Sequence, residues 1–171
     1  MSQVEAYDVI QEILEARKKS REEVSLALQK ILTDSSEVFQ GIDSYRTQFL
    51  QKDVRQPEFY FKAQDELSGY YMYLSPIVML LEALKEVRAN GYFHTTRINF
   101  ERNPKTEKDA KGIETIKKFV SSPVEKEAQE YVSEETYMSA IFTGYLDGCK
   151  TAIQTCRNRT HQYNEEFRAS K

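Results

Sequence analysis

The chain has 171 residues, enough for one domain, with 40% hydrophobic and 30% charged residues and a net charge of −3. That balance favours long helices with one wet face over a compact bundle with a thick core. The acidic balance argues against nonspecific nucleic-acid binding by the chain as a whole, and no run of eighteen uncharged apolar residues is there to cross a membrane.

The chain is read as one helical domain, residues 1–171, in two parts. Residues 1–56 form an N-terminal helix that serves as an assembly arm. Ser2 and Glu5 have the spacing of a capping box, and up to about Leu50 only Gly41 opposes a helix. A glycine there costs about 1 kcal/mol against alanine, which a good seam offsets. That seam is Val24, Leu28, Ile31, Ser35, Val38, Ile42, Tyr45 and Phe49, spaced alternately by four and three. Between two apolar runs lie Arg17, Lys18, Lys19 and Arg21, a solvated helical face or a site where a partner docks. The helix is continuous there or bends.

A second helix starts at Pro57 and carries the seam Ala63, Leu67, Tyr70, Leu74, Ile77, Leu81 and Leu84. Ser75 and Pro76 read as an N-cap and first helical position, but the seam keeps register across them. Pro76 therefore starts a new helix ending at Asn90 and Gly91, or kinks one long helix. Residues 92–100 are rich in β-formers and fit a short strand. No partner strand appears elsewhere in the chain, so this stretch pairs with its copy in another subunit or is helical after all.

Residues 102–112 are polar and read as a loop, followed by a short helix over about 113–120. Ser122 and Pro123 mark a further helix start, and Ser133 with Glu134 and Glu135 caps the last helix. That helix runs to about Arg168, roughly 50 Å by the helix rise. Its seam is Met138, Phe142, Tyr145, Cys149, Ala152 and Cys156, continued by Tyr163 and Phe167. Gly144 and Gly148 share a face and suit a close helix contact. Cys149 and Cys156 are seven apart, roughly 10 Å along a helix, too far for a disulfide. They read as small seam residues, and nothing asks for an oxidising compartment.

Narrow seams on long helices must meet other helices. They exceed what one thin chain covers by itself, which predicts a homo-oligomer built on Leu28, Ile31, Phe142, Tyr145, Cys149 and Cys156. The fold class is mainly α, an elongated helical bundle with coiled-coil character.

No catalytic constellation stands out. His94 and His161 lack matched partners, and no metal-ligand spacing or phosphate-binding glycine loop occurs. The reading is a non-enzyme with no cofactor, no metal and no small-molecule substrate. The N-terminus lacks a signal-peptide pattern, so the expected location is the cytoplasm and the Asn158-Arg159-Thr160 acceptor pattern carries no weight.

Charge is unevenly spread. Residues 88–118 hold eight basic and four acidic side chains, a balance of +4. Single-strand binding needs cations to follow phosphates and aromatic faces for bases, and both occur here. Tyr92, Phe93 and Phe100 interleave with His94, Arg97 and Arg102, and Lys105 and Lys108 follow. The bland alternative is a core aromatic face with solvated cations. A weaker cluster is Lys150, Arg157, Arg159 and Arg168.

The order of these pieces resembles the UvsY-type recombination mediators of phages. The resemblance covers about residues 60–171, in pieces. It begins with Lys62-Ala63 and Tyr73-Leu74-Ser75 and continues with 95–100, Thr-Thr-Arg-Ile-Asn-Phe, against the family's Lys-Ala-Arg-Leu-Asp-Tyr. It closes on Leu146-Asp147, Cys149, Ala152-Ile153, Arg157, Arg159 and Phe167-Arg168. Three departures stand out: Thr95 occupies a lysine position, the net charge is acidic, and the N-terminal helix is longer than the family pattern. The resemblance implies an oligomer that binds single-stranded DNA and helps load a RecA-like recombinase, in the bacterial host cytoplasm if phage-encoded. Arg97 takes the position of the family's DNA-binding arginine. The rival class is a helical adaptor that assembles proteins without DNA.

Overall fold

A computed structural model describes residues 3–51, 56–108, 112 and 114–169, without the side chains of residues 3–6. Its elements are α1 (Gln3–Ala16), α2 (Arg21–Asp34), α3 (Ser36–Leu50), α4 (Pro57–Arg102), β1 (Thr106–Lys108), β2 (Glu114–Ile116), α5 (Ser121–Tyr131) and α6 (Ser133–Ala169). The mainly α class holds. The expected box at Ser2 falls outside the described residues.

The single N-terminal helix does not hold. It is three helices. The first break is a tight turn at 17–20, where Lys18 N–H and Lys19 N–H donate to the Glu15 and Ala16 carbonyls. Ser20 then caps α2: Ser20 Oγ accepts from Glu23 N–H at 3.4 Å, and Glu23 Oε2 accepts from Ser20 N–H at 2.8 Å. Here the serine and glutamate satisfy α2's first donors and set its start. The second break is Ser35, fully buried, whose hydroxyl lies 3.1 Å from the Tyr73 hydroxyl. Gly41 sits inside α3, where a Cβ would meet the Tyr70 hydroxyl at 2.5 Å and its ring at 2.7 Å. This glycine admits a close helix contact.

α4 has 46 residues and is about 70 Å long by the helix rise. It passes through Pro76 as one helix, carried by its seam against α6. The short strand expected at 92–100 is also α4. Local β-propensity yields there because Tyr92 stacks on Tyr131 while Phe93 and Phe100 pack on Phe119, contacts that a helical spacing aligns. The short helix expected over 113–120 is also corrected: β2 lies there and pairs antiparallel with β1, Thr106 opposite Ile116 and Lys108 opposite Glu114. Gly112, at φ +78°, supplies the turn conformation that side chains rarely adopt.

α6 runs antiparallel to α4. Ser139 meets Glu82, Cys149 Sγ donates to the Leu67 carbonyl at 2.9 Å, and Tyr60 faces Tyr163. The rod α2–α3 runs back along the same pair, from Lys19 beside Arg88 to Phe49 beside Tyr60. α1 closes the assembly along α4 and α2. The cross-section therefore tapers. Near Arg88 the α1–α2 turn, α4 and the α5–α6 junction come together, near Tyr60 the ends of α3, α4 and α6 meet, and the far end of α4 packs on α5 and the residues before it.

One core runs through the described chain, from Val9 to Cys156. It takes in Leu28, Ile31, Phe142, Cys149 and Cys156, each at most 2% exposed, while Tyr145 stacks on Phe39 at 4.1 Å. Five of the six expected oligomer contacts are thus inside one subunit, and the sixth is half-buried there. The seams find each other because the chain folds back twice, which one thin helix could not do. α4 has a stretch long and apolar enough, by length and composition alone, to cross a membrane. In this fold its Leu67, Leu74, Ile77, Leu81 and Leu84 fill the core.

Candidate nucleic-acid interface

Past Arg88, α4 leaves α6 and packs on α5 and on Phe119 just before it. The Tyr92 and Tyr131 rings stack at 4.9 Å, and Tyr92 Oη donates to Glu127 Oε2 at 3.4 Å. Phe119 meets Phe93 at 6.0 Å and Phe100 at 5.4 Å. These three expected base-stacking residues are half-buried against their own chain. The aromatic spacing that suggested stacked bases is the inner face of the arm, and its effect is to stiffen it.

The cations face outward. Arg97 is exposed and its Nε donates to Glu101 Oε1 at 2.9 Å. Lys108 pairs with Glu114 across the hairpin at 3.4 Å, and Lys117 with Glu107 at 3.6 Å. Such exposed pairs contribute at most about 1 kcal/mol and exchange readily for a phosphate. Arg102 and Lys105 are exposed and form no ion pair among the described residues. The four cations sit on one arm within a short stretch of chain, at its far end from the bundle.

At the root of the arm Arg88 is buried. Its Nε donates to Glu135 Oε1 at 2.6 Å, Nη1 to the Lys19 carbonyl at 2.9 Å and Nη2 to Tyr131 Oη at 3.1 Å. The guanidinium also lies 5.2 Å from the Tyr131 ring centre, with Arg21 5.9 Å from the same ring. One arginine therefore ties the α1–α2 turn, α4 and the α5–α6 junction together. The sequence singled out the turn's basic run and the aromatic stretch separately; only the fold puts them side by side. The signal for Arg88 was its place on the seam, seven after Leu81.

The second cationic cluster, Lys150, Arg157, Arg159 and Arg168, is exposed along α6. Lys150 and Arg157 border an open groove of about 850 Å³ between α4 and α6, with Met72 on its rim. His94 lies against Phe93, and His161 faces Glu165 at 3.5 Å. Among the described residues no group of three His, Cys, Asp or Glu side chains is placed to hold a metal. Burial raises the Cys149 and Cys156 thiols to about 11, and it raises the Tyr45, Tyr70 and Tyr145 hydroxyls as well. These groups belong to the core and are held neutral.

Comparison with protein-family models, curated proteins and solved structures finds no match to this chain.

Proposed function

We propose that this protein is a non-enzymatic, single-stranded-DNA-binding recombination mediator that presents its cationic arm to the phosphate backbone and helps load a RecA-like strand-exchange protein. The observation that carries the reading is the arm itself. Arg97 and Arg102 on the end of α4, with Lys105 just beyond it and Lys108 on β1, are exposed, while the aromatic residues of the arm pack on one another. Cations without free aromatic faces follow phosphates and read no bases, so binding is indifferent to sequence. An arm of modest charge gains useful affinity when several copies present it together, and a homo-oligomer supplies that. Its seam is not the one expected from the sequence, since that seam is internal. Cytoplasmic work on a host's DNA fits this role.

The deciding experiment is a single-strand titration at two salt concentrations, with sizing by light scattering. Each phosphate contact should add about 0.7 to the salt slope for a single strand. Arg97→Ala should weaken binding, lower that slope by one contact and leave the assembly size unchanged. Salt-insensitive or absent binding overturns the reading. A second reading, a helical adaptor without DNA, is favoured by one observation: Met72 and Met79 are 75% and 71% exposed on the open side of α4. An adaptor gives no salt-sensitive single-strand binding at any ionic strength.

A further inference from the structure

The turn between α1 and α2 brings a second set of cations to the root of the arm. Arg17 and Lys19 line a cleft of about 440 Å³ with Gly91, Tyr92, Thr95 and Tyr131. We propose that this cleft is the second half of the nucleic-acid interface and clamps one nucleotide of the strand through its phosphate. The proposal rests on the single-strand reading above and adds a binding site to it.

Its charge is available. Arg17, Lys18, Lys19 and Arg21 form no ion pair among the described residues, whereas Arg88 at the cleft floor is satisfied by Glu135, Lys19 and Tyr131. Arg88 therefore fixes the turn, and Arg17 and Lys19 are the groups left to meet an anion. The carboxylates near the cleft are already engaged: Glu135 holds Arg88, Glu127 accepts from Tyr92 Oη, and Glu23, which lies within the field of Lys19, accepts from Ser20 N–H. The cleft wall is open as well as cationic. A Cβ on Gly91 would find no atom within 4 Å, so bare helix backbone faces the space and a flat group can approach it. Thr95 adds a hydroxyl.

The cleft is also continuous with the arm. Arg88, Thr95 and Arg102 follow at seven-residue spacing, which keeps them on one face of α4. Thr95 to Arg102 is roughly 10 Å along the helix. A strand held by Arg102 and Lys105 has a direct path along that face to Arg17 and Lys19.

The test uses the full chain, a fluorescent oligothymidylate and three variants: Arg17→Ala with Lys19→Ala, Gly91→Leu, and Arg102→Ala with Lys105→Ala. Circular dichroism checks that each is folded. Loss of the two turn cations should make the salt slope shallower by about 1.4, two contacts of about 0.7 each. Gly91→Leu fills the cleft without touching a charge and should cost about tenfold in affinity, the contacts of one nucleotide. If both cleft variants bind as wild type while the arm variant weakens, the clamp is wrong and the arm reading stands. If the cleft variants weaken and the arm variant does not, the cleft holds the strand and the arm reading falls. If the unaltered protein ignores the oligonucleotide, both are wrong.

Discussion

Replacing Arg88 by methionine would test the joint that holds the arm to the bundle. The side chain is about 5% exposed and Glu135 about 3%, so neither charge reaches bulk water. Methionine keeps the aliphatic stem and removes the charge with its three hydrogen bonds. Glu135 is then a buried carboxylate without its cation, a situation that costs about 3–5 kcal/mol. The Lys19 carbonyl and Tyr131 hydroxyl also lose a donor, each worth about 1 kcal/mol where water cannot replace it. The sum is a large part of the roughly 5–15 kcal/mol that holds a domain folded. Adding Glu135→Leu removes the orphaned charge, and the double variant should recover more than half of the loss. Urea unfolding followed by circular dichroism measures both. A loss below about 1 kcal/mol for Arg88→Met would refute the reasoning, because the pair would then behave as a surface contact.

Four more outcomes can be checked. Gly41→Ala should destabilise the protein although alanine favours a helix by about 1 kcal/mol, because its Cβ meets the Tyr70 ring; in a Tyr70→Ala background the same change should stabilise. Gly91→Ala, with open space around its Cβ, should stabilise by about 0.5–1 kcal/mol in the same urea titration. The two thiols should make stability fall at high pH. Below their ordinary value of 9.0 both states hold the protons; between there and about 11 the unfolded chain loses them and the native core does not. Unfolding then binds fewer protons, so stability drops by about 1.4 kcal/mol per pH unit for each thiol. A flat stability profile over that range, or quick labelling of the native thiols, would contradict their burial. Last, Glu101→Gln frees Arg97 from its carboxylate and should tighten single-strand binding severalfold at low salt, read by titration of the fluorescent oligothymidylate. Unchanged affinity would take Arg97 out of the interface.

What the sequence determined by itself is local or periodic. The seam of α6 predicted one long helix, and that of α4 predicted helix on both sides of Pro76, because a 3.5-residue spacing is written in consecutive residues; whether Pro76 divides α4 was left to the fold. Ser133 and Pro57 marked starts because capping depends on near neighbours. The outward cations of the arm were legible because nothing needs to cover them. The tertiary structure decided the rest, since each remaining question turned on a partner far along the chain. Residues 92–100 stood open between strand and helix until Phe119 and Tyr131 supplied the surface that a helix could pack on. The seam through Leu28 and Phe142 looked intermolecular, as periodicity says that a helix needs a partner and not which one. The break at Ser35 depended on Tyr73, and the closeness of Arg17 and Lys19 to Tyr92 depended on Arg88 reaching the turn. Burial and pairing across the fold are sums over distant residues, and a linear pattern holds no record of which distances close.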